Sequence, residues 1–191
     1  IGSANRLFYK MAKMTFLAFD KTYDDIPIKS QDRFKVTGNP LRIGIEELRY
    51  ATERQKLGIG PNEKVLLITG GSLGAQDINN TVMKYWEKFC AEKNIRVYWA
   101  TGNNFNELKK VLKTKKENDM LNIMAAADLV VCRAGALTIS ELIELEKPSI
   151  IIPYGSIKVG QYENAKVLKD YNAAYVYTKD ELDEAIKKAF E

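Results

Sequence analysis

A buried strand that runs through glycines directly into a helix constrains this sequence more than any other feature. The stretch Val65-Leu-Leu-Ile-Thr-Gly-Gly-Ser-Leu-Gly-Ala75 begins with four apolar residues, and a helical pattern follows its glycines. Glycines let a backbone approach a phosphate closely, and a helix N-terminus presents N–H groups and the positive end of the helix dipole. The spacing is neither G-x-G-x-x-G nor that of a P-loop. The stretch therefore predicts either an anion site or a tight turn between a strand and a helix.

A second stretch repeats this arrangement. Leu129 to Cys132 predicts a buried strand, the small residues of Arg133-Ala-Gly-Ala136 follow, and a helix is predicted from Ile139 to Glu146. Thr138 and Glu141 match the S/T-x-x-E capping box, in which the carboxylate bonds the backbone N–H of the N-cap residue. Glu141 is therefore either a helix cap or a carboxylate available to a ligand.

Predicted strands and helices alternate from residue 65 onwards. The strands are continuous apolar runs without period-two alternation, which is typical of parallel strands covered on both faces. We therefore predict an α/β domain with a doubly wound parallel sheet, in which ligands bind beyond the carboxyl ends of the strands. Three loops should meet at that edge: 70–74, 133–138 and 154–161.

Hydrophobic patterning and turn residues also give the approximate bounds of the other elements. Two helices without a strand between them, 105–112 and 119–127, break the alternation and suggest a missing segment near Lys116. The remaining predicted helices are 4–13, 46–57, 75–90, 161–169 and 179–190, and the remaining predicted strands are 15–19, 34–37, 65–68, 95–100, 149–152 and 173–177.

Composition excludes several kinds of chemistry. The 191 residues contain no histidine, which rules out a histidine base, a Ser-His-Asp triad and a histidine-ligated metal within them. The net charge of +4 is too small to indicate nucleic acid. Five lysines between 109 and 116 form either a solvated face or a membrane-surface patch. Cys90 and Cys132 are expected to be reduced core thiols.

The loops carry a set of side chains suited to a nucleotide sugar. Arg42, just past an Asn-Pro turn, and Arg133 could hold a diphosphate together with the two helix N-termini. Glu141 could accept both hydroxyls of a ribose, as acidic residues do in dinucleotide folds. Gln161 and Asn164 share one face of a helix start, where amides could bond sugar hydroxyls. The combination suggests a nucleoside-diphosphate-sugar site.

The same residues resemble the MurG family, glycosyltransferase family 28, whose bacterial members transfer N-acetylglucosamine from UDP-GlcNAc to lipid I and form lipid II. The resemblance covers nearly the whole chain. It implies a GT-B fold, in which two Rossmann-like domains face a cleft. Residues 1–35 would be the tail end of the N-terminal, acceptor-binding domain, and residues 36–191 would be the C-terminal, UDP-sugar-binding domain. The matching motifs are Thr37-Gly-Asn-Pro-Leu-Arg42, Gly70-Gly-Ser-Leu-Gly-Ala75, Ala127-Asp-Leu-Val-Val-Cys-Arg-Ala-Gly-Ala-Leu-Thr-Ile-Ser-Glu141 and Gln161-Tyr-Glu-Asn-Ala165.

Carried over by motif, the resemblance implies a role for each part of the site. The glycine loop with Ser72, together with Leu137 and Thr138, would contact the diphosphate, and Arg42 would lie near it. Glu141 would bind the ribose, and Gln161 and Asn164 the N-acetylglucosamine. The uracil would be read just before the helix at Asp119. The expected substrate-binding residues are Arg42, Gly71, Ser72, Leu73, Gly74, Arg133, Gly135, Ala136, Leu137, Thr138, Glu141, Gln161 and Asn164.

Two departures from the family pattern matter. Gly160 stands where the family usually has the first glutamine of a Gln-Gln pair, which affects one sugar contact. The family's glycine-rich acceptor loop, with its proposed histidine base, belongs to the N-terminal domain, so no catalytic residue is expected in this chain. The chain should then bind the donor without catalysing transfer alone.

The implied reaction is inverting. The C4 hydroxyl of the muramyl sugar attacks the anomeric carbon, and UDP leaves, stabilised by helix N-termini and arginine. No Asp-x-Asp motif occurs, and neither a metal nor a cofactor is expected. The implied partners are UDP-GlcNAc and, through the missing domain, lipid I. The complete enzyme would lie peripherally on the cytoplasmic face of the bacterial inner membrane, and no nucleic acid is expected to bind.

Three alternatives remain. The chain could come from another GT-B enzyme, such as a diacylglycerol galactosyltransferase or a UDP-GlcNAc 2-epimerase. It could be a non-catalytic UDP-sugar-binding subunit, although the start at Ile1-Gly2-Ser3 suggests a truncated domain instead. It could also be a generic nucleotide-binding module, for which the two glycine loops would suffice.

Overall fold

A computed structural model describes residues 3–71, 74–91, 94–102, 120–156 and 159–189. The chain divides into two compact units, Ile1–Leu41 and Arg42–Glu191. The sequence predicted a boundary between residues 35 and 36, which falls inside a strand, Phe34–Val36, of the first unit.

The first unit is a small assembly around two parallel strands, β1 (Thr15–Leu17) and β2 (Phe34–Val36). A short helix, α1 (Ser3–Phe8), precedes β1. Leu17, Ile26 and Phe34 are buried together in its core. The hydroxyl of Tyr23 donates a 2.5 Å hydrogen bond to the carbonyl oxygen of Phe34 and so ties the connecting segment to β2.

Five strands of the described part form one parallel sheet in the second unit, in the order β4-β3-β5-β6-β9. The apolar runs predicted this arrangement, because each central strand is covered on both faces: residues 65–68 are all at most 3% exposed. The strands are β3 (Lys64–Thr69), β4 (Ile95–Ala100), β5 (Leu129–Cys132), β6 (Ser149–Ile151) and β9 (Ala174–Val176).

Helices cover the sheet, and their apolar stripes face it. Ile78 and Val82 are fully buried in a core cluster with Leu66 and Ile68 of β3, and Ala185 and Ile186 join the same cluster. One apolar face of the helix after the glycine loop therefore lies in the core. The helices of the unit are α2 (Tyr50–Lys56), α3 (Gln76–Ala91), α4 (Met120–Ala126), α5 (Ala136–Glu144), α6 (Tyr162–Asp170) and α7 (Leu182–Lys188).

Two predicted segments have a different form in the structure. The helix predicted over 46–57 is a 3-10 turn, Ile45–Glu47, followed by the separate α2. Arg49 separates the two, since its guanidinium donates to the carbonyl oxygens of Glu46 and Leu48. The loop predicted over 155–160 contains a small antiparallel hairpin of β7 (Gly155–Ser156) and β8 (Val159–Gly160). The helix predicted over 105–112 lies outside the described residues.

A cluster of polar side chains closes the amino edge of the sheet. Asp128 accepts hydrogen bonds from the backbone N–H of Val65 at 2.7 Å, from Tyr50 at 2.8 Å and from Arg54 at 3.0 Å. Lys147 donates to the carbonyl oxygens of Ala125 and Ala127. Because these groups satisfy one another, they hold α2 and α4 to β3 at the end of the sheet opposite the glycine loop.

Within the ranges that the structure describes, no helix is both long enough and apolar enough to cross a lipid bilayer.

Candidate functional site

The glycine loop follows β3 at the carboxyl edge and is closely packed. A Cβ atom on Gly70 would lie 2.3 Å from the backbone nitrogen of Ala75, so the chain can turn there only without a side chain. Gly74 has a φ of +77° and passes against the carbonyl oxygen of Thr101, which follows β4. Gly71 has a φ of +83°, and its N–H donates to Oγ1 of Thr69. The loop therefore brings backbone without side chains to the carboxyl edge of the sheet, where α3 begins.

The second helix of the predicted site begins earlier than its sequence indicated. α5 starts at Ala136 with Gly135 as its N-cap, so Thr138 lies inside the first turn. The predicted helix start at Ile139 is therefore wrong, and of the two interpretations of Glu141 the structure excludes the capping box with Thr138. Since glycine has no side chain with which to cap, no N-cap side chain satisfies the first-turn N–H groups. Leu137, in that first turn, is exposed.

Glu141 is paired with Arg42. Arg42 donates a hydrogen bond from Nε to Oε1 of Glu141 at 2.9 Å, and its Nη2 forms an ion pair with the same oxygen at 2.8 Å. The carboxylate is buried, with 5% of the side chain exposed, whereas the arginine is half-exposed at 49%. The pairing joins the start of the unit to α5, and it supplies the partner that a buried carboxylate needs.

Arg133 is buried among protein partners. Its Nη2 forms an ion pair with Asp77 in the first turn of α3. Its Nη1 donates to the carbonyl oxygens of Ile152 at 3.0 Å and Pro153 at 3.4 Å. Its guanidinium also lies 5.7 Å from the ring centre of Tyr154. The residue predicted to hold a diphosphate thus connects the segments that follow β3, β5 and β6.

The contacts with Arg133 and Ile78 change the pKa of the Asp77 carboxyl group. Burial by itself opposes ionisation, but the hydrogen bond and charge of Arg133, together with the N–H of Ile78, outweigh it and lower the pKa of Asp77. Asp77 is therefore ionised at neutral pH, and the pair is a true ion pair.

The two predicted sugar-binding amides lie at the start of α6. Gln161 Oε1 accepts a hydrogen bond from the N–H of Tyr154 at 3.2 Å, so it closes the hairpin loop. Asn164 Nδ2 donates to the carbonyl oxygen of Ala134 at 3.0 Å, across the gap between α6 and the loop after β5. The loops after β5 and β6 are therefore linked by amide side chains as well as by Arg133.

The structure brings most of the predicted site residues to one edge of the sheet. Ser72, Leu73 and the segment before α4 that was expected to read uracil lie outside the described residues. The described part contains no group of three or more histidine, cysteine or acidic side chains placed to bind a metal ion.

Sequence reasoning missed two residues that organise this edge. Asp77 looked like an ordinary acidic residue in the first turn of a helix, where the dipole favours it. Asn79 is buried, accepts from the indole N–H of Trp99 at 3.0 Å and donates to the carbonyl oxygen of Thr101 at 2.9 Å. The only available signal was a polar residue on the apolar stripe of α3, one position after Ile78.

The curated relatives that match this chain in sequence carry the same name. One from Fusobacterium nucleatum subsp. nucleatum is 79% identical over 199 residues, covering 100% of this chain and 56% of that protein. One from Acetivibrio thermocellus is 36% identical over 192 residues, covering 95% of this chain and 52% of that protein. Both are named UDP-N-acetylglucosamine--N-acetylmuramyl-(pentapeptide) pyrophosphoryl-undecaprenol N-acetylglucosamine transferase. The chain spans about half the length of the curated relatives it matches.

Solved structures share the fold at low sequence identity. MurG of Acinetobacter baumannii is 20% identical to this chain with a TM-score of 0.59. The match covers 100% of this chain and 55% of the MurG chain. The glycosyltransferase of kitacinnamycin is 18% identical with a TM-score of 0.65, and the match covers 100% of this chain and 49% of that glycosyltransferase. The expected GT-B-type, Rossmann-like fold with a parallel sheet is confirmed. Residues 65–191 match the glycosyltransferase family 28 C-terminal domain, and this chain therefore belongs to glycosyltransferase family 28.

Proposed function

We propose that this chain binds UDP-GlcNAc at the carboxyl edge of its five-stranded sheet, as the donor-binding part of a transferase that converts lipid I to lipid II. The observation that carries the proposal is Glu141, a buried carboxylate held by Arg42 on the helix next to the glycine loop. The names of the relatives supply the substrate and the reaction. The second unit would be the donor domain, and the first unit the end of the acceptor domain.

Glu141 is suited to a ribose. Its Oε1 accepts the hydrogen bond from Nε of Arg42 and lies 2.8 Å from Nη2, while Oε2 accepts no hydrogen bond from the described residues. A vicinal diol could donate to this carboxylate, and the hydrogen bonds would be charge-assisted in a poorly solvated place. We infer that Arg42 orients the carboxylate for the ribose, in place of the phosphate contact that the sequence predicted.

The diphosphate would lie between the two helix N-termini. The loop through Gly71 and Gly74 leads into α3, and Gly135 leads into α5 without a capping side chain. Backbone N–H groups and helix dipoles from both sides would stabilise the negative charge of the donor and of the UDP that leaves. Ser72, Leu73, Ala136, Leu137 and Thr138 complete the proposed contacts.

Gln161 and Asn164 would lie nearest the sugar. Each already uses one end of its amide to tie the surrounding loops together, so the other end would face the N-acetylglucosamine. Gly160 places no side chain next to Gln161, so fewer hydroxyl contacts are expected on that side.

The transfer step would also need the part of the relatives that this chain does not span. There, a base would take the proton of the acceptor C4 hydroxyl as its oxygen bonds the anomeric carbon, and the bond to UDP breaks with inversion. The donor domain would hold the sugar and stabilise the negative charge on the departing UDP. We expect the complete enzyme to act peripherally at the cytoplasmic face of the membrane, with lipid I bound by the other domain.

Calorimetric titration tests the donor site. Wild-type chain, Glu141→Gln and Glu144→Gln would each be titrated with UDP-GlcNAc, UDP-galactose and ADP. Glu144 is the matched control, because it lies on the same helix and is exposed. We expect selective binding of UDP-GlcNAc, reduced roughly tenfold or more by Glu141→Gln as a charged hydrogen bond is lost, and unchanged in the control.

The opposite results separate the alternatives. Equal binding of ADP and UDP-GlcNAc would favour a generic nucleotide module. Uridine-selective binding that survives Glu141→Gln would remove Glu141 from the ribose site. An absence of binding by wild type would be followed by the same titration on a chain with the N-terminal half restored, and continued absence there would reject the donor-site proposal.

A further inference from the structure

Arg133 lies at the meeting point of three loops. It follows β5, which pairs with β3 on one side and β6 on the other. Its ion pair with Asp77 reaches the helix that follows the β3 loop, and its bonds to Ile152 and Pro153 reach the segment that follows β6. One buried side chain therefore connects the ends of three neighbouring strands.

These contacts leave the guanidinium poorly placed for a ligand. Only 9% of the Arg133 side chain is exposed, and both terminal nitrogens already donate to protein oxygens. If Arg133 turned away from these partners to bind a phosphate, it would give up a partly buried carboxylate and two carbonyl groups. Leaving those groups without partners would cost free energy that the phosphate contact would have to offset.

We propose that Arg133 and Asp77 are positioning residues, which set the spacing of the three loops that would surround the donor diphosphate and sugar. The inference rests on the proposed donor site and assigns Arg133 a role different from a phosphate contact. Asp77 touches no proposed ligand group, and its function is to hold the guanidinium between the loops.

The direction in which Asp77→Asn changes the affinity for UDP-GlcNAc distinguishes this role from direct binding. Asp77 carries a negative charge near a site proposed for a diphosphate. If Arg133 bound phosphate, Asp77→Asn would remove a repulsive charge and release the guanidinium, so affinity for UDP-GlcNAc would rise. If the pair positions the loops, the same change would lower affinity, because the loops lose their spacing.

Hydrogen exchange tests the positioning without any ligand. Exchange would be compared in wild type, Asp77→Asn and Asp183→Asn. Asp183 is the matched control, because it is an acidic residue that also forms an ion pair, with Lys84 of α3, but that pair is exposed. We expect Asp77→Asn to speed exchange of the backbone amides of residues 134–139, 152 and 154–156 by roughly tenfold, with β4 and the control unchanged. Unchanged exchange in these two loops would overturn the proposal.

Titration with UDP-GlcNAc supplies the second measurement. We expect Asp77→Asn to lower affinity by roughly tenfold, and Arg133→Lys to lower it as well, because lysine keeps the charge but cannot reach all three acceptors. Tighter binding by Asp77→Asn, or full affinity in Arg133→Lys, would overturn the proposal. If neither the wild-type chain nor a chain with the N-terminal half restored binds a uridine nucleotide, the proposed function fails, and the exchange result alone decides whether the pair spaces the loops.

Discussion

Arg42 and Glu141 lie 99 positions apart in the chain, and two nitrogens of the arginine contact one oxygen of the carboxylate, Oε1: Nε through a hydrogen bond of 2.9 Å and Nη2 through an ion pair at 2.8 Å. Half of the arginine side chain is exposed, whereas the glutamate is buried. The solvent-facing member therefore holds the buried member in one orientation. The pair therefore sets the orientation of the carboxylate that we propose binds the ribose.

We expect Arg42→Ala to weaken the binding of uridine, which has no phosphate, by roughly tenfold, since the carboxylate loses its charged partner and its orientation. Calorimetry with uridine and with UDP measures this. Lys64→Ala is the control, because it removes a positive charge at the opposite edge of the sheet. Loss confined to UDP would instead place Arg42 at the phosphates, as the sequence predicted.

Gly70 and Gly135 should respond differently to a methyl group. A Cβ on Gly70 would lie 2.3 Å from the Ala75 nitrogen, whereas one on Gly135 would lie 3.5 Å from Oγ1 of Thr138, an ordinary contact. We expect Gly70→Ala to destabilise the fold by about 2 kcal/mol through overpacking against backbone. Gly135→Ala should stay within about 1 kcal/mol of wild type.

Urea unfolding of the two glycine variants measures the difference. Equal stability of the two would mean that the glycine loop can relax away from Ala75. The close packing of the loop would then not be required by the fold.

Asp128 should stabilise the fold in a pH-dependent way. Burial opposes ionisation, but the bonds from Val65 and Tyr50 and the charges of Arg54 and Lys64 outweigh it, and the pKa of Asp128 is lowered. A carboxyl with a lowered folded pKa contributes fully above its unfolded value of about 3.9, and the contribution disappears as pH falls through the folded value. The stabilisation should therefore be present at pH 7 and shrink below about pH 4.

We expect Asp128→Asn to cost about 2 kcal/mol at pH 7, because a charged acceptor of several hydrogen bonds is lost. Urea unfolding of wild type and variant across the acid range tests this, with the exposed Glu144→Gln as control. A stability difference that stayed constant to low pH would contradict an ionised Asp128. Donor affinity should not change, since the cluster lies at the amino edge.

Cys132 should be chemically inert in the folded protein. It is fully buried at the end of β5, and burial raises the pKa of its thiol to about 12. Because the thiolate is the reactive form, a thiol reagent at pH 8 should modify Cys132 only after denaturation. The measurement is made in a Cys90→Ser background, so that one thiol is counted. Rapid modification of the native chain would show that β5 opens readily.

Local patterns were sufficient for the strands. The runs at 95–100 and 129–132 were predicted with the bounds that the structure has, because apolar residues between turn signals give an unambiguous buried strand. The order of alternation then indicated a parallel sheet with its loops at one edge. The start of α5 was predicted wrongly, because Thr138 and Glu141 imitate a capping box while Gly135 gives no side-chain signal.

The fold class, the glycine loops and the types of side chain at the carboxyl edge could be predicted from the amino-acid sequence, since all three depend on neighbours within a few residues. Which of these side chains pair could be seen only in the folded structure. Arg42 meets Glu141, and Arg133 meets Asp77, across 99 and 56 positions of chain. The choice depends on which strand ends are adjacent and on which charges must be satisfied once they are buried. Those conditions exist only when the sheet has formed.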